Sequence, residues 1–230
     1  MNRYLRYLLP MIAIGFFLSA GAVDTSAQVI REIMKRMDEN NKGLKSLKSK
    51  IHLAKTDTVL NETDYKEGEV SYLPGRSEKQ IYVRINWAKP EESLAIANGS
   101  YVLYVPRRKQ AIVGKVDSVK GKNAGAGGVL AFMTMSKAQL SANYDVKYVG
   151  EETVKSGVKT WHLLLTPKTA TNFKTADLWV DSNGMPVQAK IVEKNNDTTT
   201  ILLSGIQRNP TLNAGIFKLT PPKGTQIVQS

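Results

Sequence analysis

LWVDSNGMPVQAKIVE, residues 178–193, is two short apolar-rich runs folded about Asp181-Ser182-Asn183-Gly184. Turn residues between two runs of strand-forming residues predict a β-hairpin. The next stretch, EKNNDTTTILLSGI, supplies another turn and another strand. Upstream, QIYVRINW places Ile81, Val83, Ile85 and Trp87 on one face and Gln80, Tyr82, Arg84 and Asn86 on the other. That period of two is the mark of a half-buried antiparallel strand. ESLAIANGSYVLYVP repeats the device around Asn98-Gly99, a strong hairpin dipeptide.

Runs of this kind between Ser49 and Leu219 give about eleven strands, and no long helix falls between them to make a parallel crossover. An antiparallel sheet of that size curls under its own twist towards a barrel or half-barrel. Ahead of it, QVIREIMKRMDENNKGL puts Val29, Ile30, Ile33, Met34 and Met37 at helical spacing, with Gly43 past the end. The expected fold is therefore mainly β, an incomplete and strongly curved antiparallel half-barrel with an N-terminal helix. Alternation leaves open which face of a strand turns inward. We assign inward the face of Ile81, Val83, Ile85 and Trp87, with Leu94, Ile96, Leu178 and Val180 beside them.

The extreme N-terminus has the form of a secretory signal: Arg3 and Arg6, an apolar core from Leu8 to Leu18, and the small residues Ala20-Gly21-Ala22. The apolar core is shorter than the ~20 residues that span a bilayer. Residues 1–22 are read as a signal peptide, with cleavage after Ala22 or alternatively after Ala27, and 23–230 as one domain. At roughly 205 residues, that remainder suffices for one sizeable core and is short for two. Loss of Arg3 and Arg6 lowers the formal charge from +12 to +10, and the later cut also removes Asp24, giving +11. A chain so basic and exported from the cytoplasm points to an anionic lipid surface or an acidic protein rather than to nucleic acid.

There is no cysteine, which excludes disulfides, cysteine nucleophiles and a lipid-modified N-terminal cysteine. The only histidines, His52 and His162, are far apart and each alone within a strand pattern, which argues against a metal. No catalytic motif is present, and no cofactor is expected. The pairs Glu91-Glu92 and Glu151-Glu152 fall near turns, where solvent accounts for them. Two basic runs, Lys42, Lys45, Lys48 and Lys50, then Arg107, Arg108 and Lys109, read first as solvated surface and second as a docking face.

One segment breaks the strand grammar: GKNAGAGGVLAFMTM, Gly121 to Met135. Glycines at 121, 125, 127 and 128 tether a short apolar run of Val129, Leu130, Phe132, Met133 and Met135. Glycine eases movement, and methionine adapts to ligands of irregular shape. The segment reads either as a mobile lid, with Gly125, Gly127 and Gly128 as its hinge, or as an ordinary core helix after a loop.

Several stretches together resemble the LolA family of periplasmic lipoprotein carriers. They are WAKPEESLAIANGSYVLYVPRRKQ, residues 87–110; LLLTPK, residues 163–168; and residues 178–224, with W-V-D-x-x-G-x-P, an N-x-x-L ahead of a Phe, and P-P-K-G. The resemblance implies short lid helices capping an apolar cavity that shelters the acyl chains of lipoproteins on their way from the inner to the outer membrane. It also implies a monomer loaded by an inner-membrane ABC transporter and unloaded to an outer-membrane receiver or an anionic membrane surface. Gly121 to Asn143 falls where the family has its lid. The chain departs from the family where GEVSYLPGR has Leu73-Pro74 in place of an Arg-Pro pair, leaving the lid latch to Arg76, to Arg84 or to neither. The alternatives are a carrier of free lipids, and a periplasmic sensor of the same half-barrel fold that binds a membrane regulator.

Overall fold

A computed structural model describes residues 25–74, 81–116 and 135–229. The described residues open with α1 (Thr25–Gly43) and continue with β1 (Leu47–Asp57), β2 (Glu62–Pro74), β3 (Ile81–Lys89), β4 (Glu91–Ala97), β5 (Ser100–Val105) and β6 (Gln110–Lys115). After α2 (Lys137–Asn143) follow β7 (Tyr144–Thr153), β8 (Lys159–Pro167), β9 (Phe173–Asp181), β10 (Pro186–Glu193), β11 (Thr198–Arg208) and β12 (Gln226–Gln229). All twelve strands belong to one sheet in the order β12-β6-β5-β4-β3-β2-β1-β11-β10-β9-β8-β7.

The sheet is two antiparallel meanders, β1 to β6 and β7 to β11, joined side to side where β1 pairs with β11. Its edges, β7 and β12, do not meet, so the curved sheet stays open. The predicted turns form as their residues require. Asn98 and Gly99 take φ of 50° and 72°, the left-handed pair that links β4 to β5.

Among the described residues, eleven strands fall in the span in which about eleven are expected, and a twelfth lies beyond it. β12 is four residues long and pairs with β6 in parallel. To reach that edge the chain leaves β11 and crosses the outer face, where Phe217 of a 3-10 turn (Ala214–Phe217) buries itself against Tyr82, ring centroids 6.0 Å apart. Such a return along an outer face delivers a strand in the same direction as its neighbour, which no local pattern announces.

The core lies on the inner face. Cross-strand partners line up from β8 to β1 as Leu163, Leu178, Ala189, Ile201 and Leu53, all in one buried cluster. α1 joins it through Ile33, Met34 and Met37, the stripe set by its sequence period, and α2 through Leu140. α2 begins with a reciprocal cap: the Gln139 N–H donates to the Ser136 hydroxyl at 3.2 Å, and the Ser136 N–H donates to Gln139 Oε1 at 2.8 Å.

The far end of α1 is fastened by Asn209. Its side-chain amide donates to the Gly43 carbonyl at 3.1 Å, and its oxygen accepts from the Lys45 N–H at 2.7 Å. This gives the asparagine of the N-x-x-L pattern a physical task, holding the helix exit to the end of β11.

Candidate functional site

The inner face of β3 and β4 is the apolar wall expected from the sequence. Val83, Ile85, Trp87 and Ile96 are buried in the core cluster, and Ile81 and Leu94 are partly buried against it. On β9, Leu178 and Val180 belong to the same cluster. Register carries the wall from strand to strand: Ile85 faces Val70 on one side and Leu94 on the other, and Val83 faces Tyr72 and Ile96. The structure thus brings all eight expected wall residues onto one surface.

That surface extends further than the sequence reading placed it, to Ile51 and Leu53 of β1, Val70 and Tyr72 of β2, and Leu163 and Leu165 of β8. The alternation in LKSKIHLAKTD, where Leu47, Ile51 and Leu53 share a face, is the signal that would have found the β1 part. Burial pushes the Tyr72 phenol above its ordinary pKa, because its ionised form would lose solvent.

Two charges also stand on the wall. Lys66 lies across from Leu53, Glu92 lies across from Trp87, and Lys66 Nζ donates to Glu92 Oε2 at 2.6 Å. Glu92 is buried, so the solvated reading given to the Glu91-Glu92 pair is corrected for this residue. The reason is period: Glu92 is two positions before Leu94 and therefore shares its inward face. An ion pair with most of its solvent removed persists only because each partner satisfies the other.

Arg84 sits on the opposite face from Val83 and Ile85. Its Nε donates to Asn86 Oδ1 at 2.8 Å and its Nη2 approaches Ser93 Oγ at 3.4 Å. It faces away from the wall, and Arg76, the other candidate latch, lies outside the described residues. Of the expected lid, Val129, Leu130, Phe132 and Met133 also lie outside them, as do the hinge glycines Gly125, Gly127 and Gly128. Met135 is described: it is partly buried against the core, and its carbonyl accepts from the Asn41 amide at 3.1 Å. The C-terminal end of the lid segment is thereby tied to α1.

Glu152, with 48% of its side chain exposed, meets solvent as expected and is also held by partners. It reaches across the outer face, accepting from Trp179 Nε1 at 2.7 Å, with its other oxygen 2.8 Å from His162 Nδ1. The second ring nitrogen of His162 lies 2.8 Å from Asp177 Oδ1, and the ring stacks on Trp179 at 4.3 Å. The Trp179 hydrogen bond first, and His162 second, hold the Glu152 carboxyl below the usual carboxylate range.

A depressed folded-state pKa contributes stability that is present above the unfolded value and is lost as pH falls through the folded one. Thermal unfolding followed across the acid range should show this loss in the parent chain and not in Glu152→Gln. The effect is modest, no more than about a few °C in Tm, because half the side chain meets solvent. An identical acid limb in both proteins would remove Glu152 from the account.

Comparison with known proteins places this architecture. The family described as Outer membrane lipoprotein carrier protein LolA matches residues 78–220. An outer-membrane lipoprotein carrier protein of Xanthomonas oryzae pv. oryzae is 29% identical over 231 residues, covering 99% of this chain and 98% of the relative. One from Pseudomonas fluorescens is 26% identical over 229 residues, covering 99% of each. Among solved structures, an uncharacterized conserved protein from Thermus thermophilus superposes with a TM-score of 0.53 at 14% identity, over 88% of this chain and 100% of its own. MucB superposes with a TM-score of 0.54 at 13% identity, over 87% of this chain and 66% of its own. At such identities the two structures share the fold alone.

Proposed function

We propose, from the premise that this chain belongs to the LolA family of outer membrane lipoprotein carrier proteins, that it shelters lipoprotein acyl chains against its inner face and carries them through the periplasm. The observation that carries this reading is the apolar wall from β4 to β8, broken by the Lys66–Glu92 pair, joined in one core cluster by α1 and α2 and accompanied in sequence by a glycine-tethered apolar segment.

The energetics fit a carrier that binds partially. Two fatty chains of about thirty methylenes cost ~24 kcal/mol to expose to water at ~0.8 kcal/mol each. A protein that recovered all of this would pass the practical ceiling of ~18–21 kcal/mol for non-covalent binding and would not release its cargo. Shelter by a wall and a movable cover meets both needs. The cover in this reading is residues 121–135, hinged at Gly125, Gly127 and Gly128, with Arg76 and Arg84 as the candidate latches.

Loading then falls to an inner-membrane ABC transporter, and delivery to an outer-membrane receiver or to the membrane surface. Residues 1–22 are removed after export, and cleavage after Ala27, the alternative, would fall within α1. The activity is binding, not catalysis.

The test is native mass spectrometry of the exported chain, purified from a periplasm without detergent. Acylated protein released from it is the expected cargo. Free lipid alone points to the lipid-carrier alternative, and a stable complex with a membrane regulator, without cargo, points to the sensor. Either result overturns the lipoprotein reading.

A further inference from the structure

The three most exposed large hydrophobic side chains among the described residues all belong to the β1–β2 hairpin: Val59 is 84%, Tyr65 68% and Leu60 65% exposed. Val59 and Leu60 are adjacent at its tip. Tyr65 lies across from Ala54, about 10 Å back along the strands from the last pair, Asp57 and Glu62.

The tip is stiff, and its backbone is provided for from within. Asp57 Oδ1 accepts from the N–H groups of both Val59 and Leu60 at 2.9 Å. The Thr58 N–H donates to Asp197 Oδ1 at 2.9 Å, and the Thr58 hydroxyl reaches the same oxygen at 3.2 Å and the Asn195 carbonyl at 3.3 Å. Asn61 closes the turn at φ 52°. Three successive amide protons are satisfied by the protein while the two apolar side chains beside them point out. A loop that enters an apolar phase needs this arrangement, because no water is there to take up its donors.

We infer that the β1–β2 tip is a membrane-contact element that inserts Val59 and Leu60 into the surface of a zwitterionic bilayer, with Tyr65 at headgroup depth. Two aliphatic side chains are far below the ~800 Å² per partner of a stable protein interface. They suffice for reversible partition, since each one buried favours the bound state by roughly tenfold or more. Tyrosine set back from such a tip matches its preference for the membrane–water boundary.

Local charge selects the kind of surface. Around this tip and the adjoining β10–β11 turn stand five acids, Asp57, Glu62, Asp64, Glu193 and Asp197, against three bases, Lys55, Lys194 and Lys174, the last donating to Asn196 of the turn. The chain is basic overall, yet this end of it is acidic, so an anionic sheet would repel it. The inference rests on the carrier reading only for its purpose, a carrier having to meet a bilayer to receive or release acyl chains.

Flotation of the exported chain with vesicles of phosphatidylcholine and phosphatidylethanolamine tests it. The parent chain is expected to float with them. The double variant Val59→Asp/Leu60→Asp should lose at least about tenfold in partition, Leu60→Ser should lose less, and Ile227→Ser, exposed elsewhere, should lose none. Added salt at about 0.5 M should leave the partition unchanged.

A parent chain that ignores zwitterionic vesicles, or a double variant within about twofold of it, overturns the inference. So does binding confined to vesicles containing phosphatidylglycerol and abolished by salt, which would assign docking to the basic runs. Binding of a fluorescent acyl probe, measured on the same proteins, keeps the two readings apart. Tip-dependent flotation without probe binding sinks the carrier and leaves the membrane contact standing.

Discussion

Gly184→Ala should destabilise the fold by about 3–5 kcal/mol, a large loss for the addition of a single methyl group. Two effects combine. Gly184 has φ +77°, where a side chain is strained, and a Cβ placed there would lie 2.2 Å from the backbone carbon and oxygen of Arg36 and 2.6 Å from the Met37 nitrogen. Those are backbone atoms of α1, so no side-chain rotation can relieve the overlap.

The helix would have to lift, taking Met37 out of the core and breaking the Arg36 Nη1 contact with the Ser182 carbonyl, 3.0 Å. Gly99→Ala separates the two effects, having φ +72° but nothing within 4 Å of the added carbon. It should lose only about 1–2 kcal/mol from the left-handed backbone. Urea unfolding of both variants measures the difference directly. Equal midpoints would mean that α1 does not rest on this turn.

Phe132→Asp should abolish acyl-chain binding, by about a hundredfold or more, while leaving Tm within a few °C of the parent. A cover that closes over hydrocarbon must itself present hydrocarbon. A carboxylate on its underside either stays in water, holding the cover open, or is buried unpaired at a prohibitive cost. Stability is spared because the core cluster draws on the sheet, α1 and α2, with Leu140 fully buried downstream of the segment. Met133→Asp should behave in the same way. A folded Phe132→Asp protein that binds an acyl probe as the parent does would refute the cover.

Much of the wall was legible because its determinants are local. Ile81, Val83, Ile85 and Trp87 alternate on one strand, and burying any one of them buries the rest through the pleat. The α1 stripe of Ile33, Met34 and Met37 is equally local, fixed by the turn of the helix. Glu92 shows where such reading slips. Its position two before Leu94 already placed it on the inward face, but the habit of leaving carboxylates in water outweighed the period. What permits the burial is Lys66, 26 residues away on another strand.

Glu152 meets solvent on the outer face as its sequence suggests, but its hydrogen-bond partners are long-range. Its partners His162 and Trp179 lie 10 and 27 residues on, across two strand pairings. Arg84 points outward, as Asn86 does, because alternation along the strand turns it there.

The amino-acid sequence by itself determined the class of the fold, the helix stripe, the hairpin turns and the apolar face of each strand, since each depends on residues a few positions apart. Tertiary structure alone decided that β11 closes against β1, that β12 enters in parallel beside β6, that α1 rests on Gly184, and that Lys66 meets Glu92. Those outcomes depend on which strands become neighbours and in what register. That choice is made by burying all the apolar faces together under one twist, and no single segment encodes it.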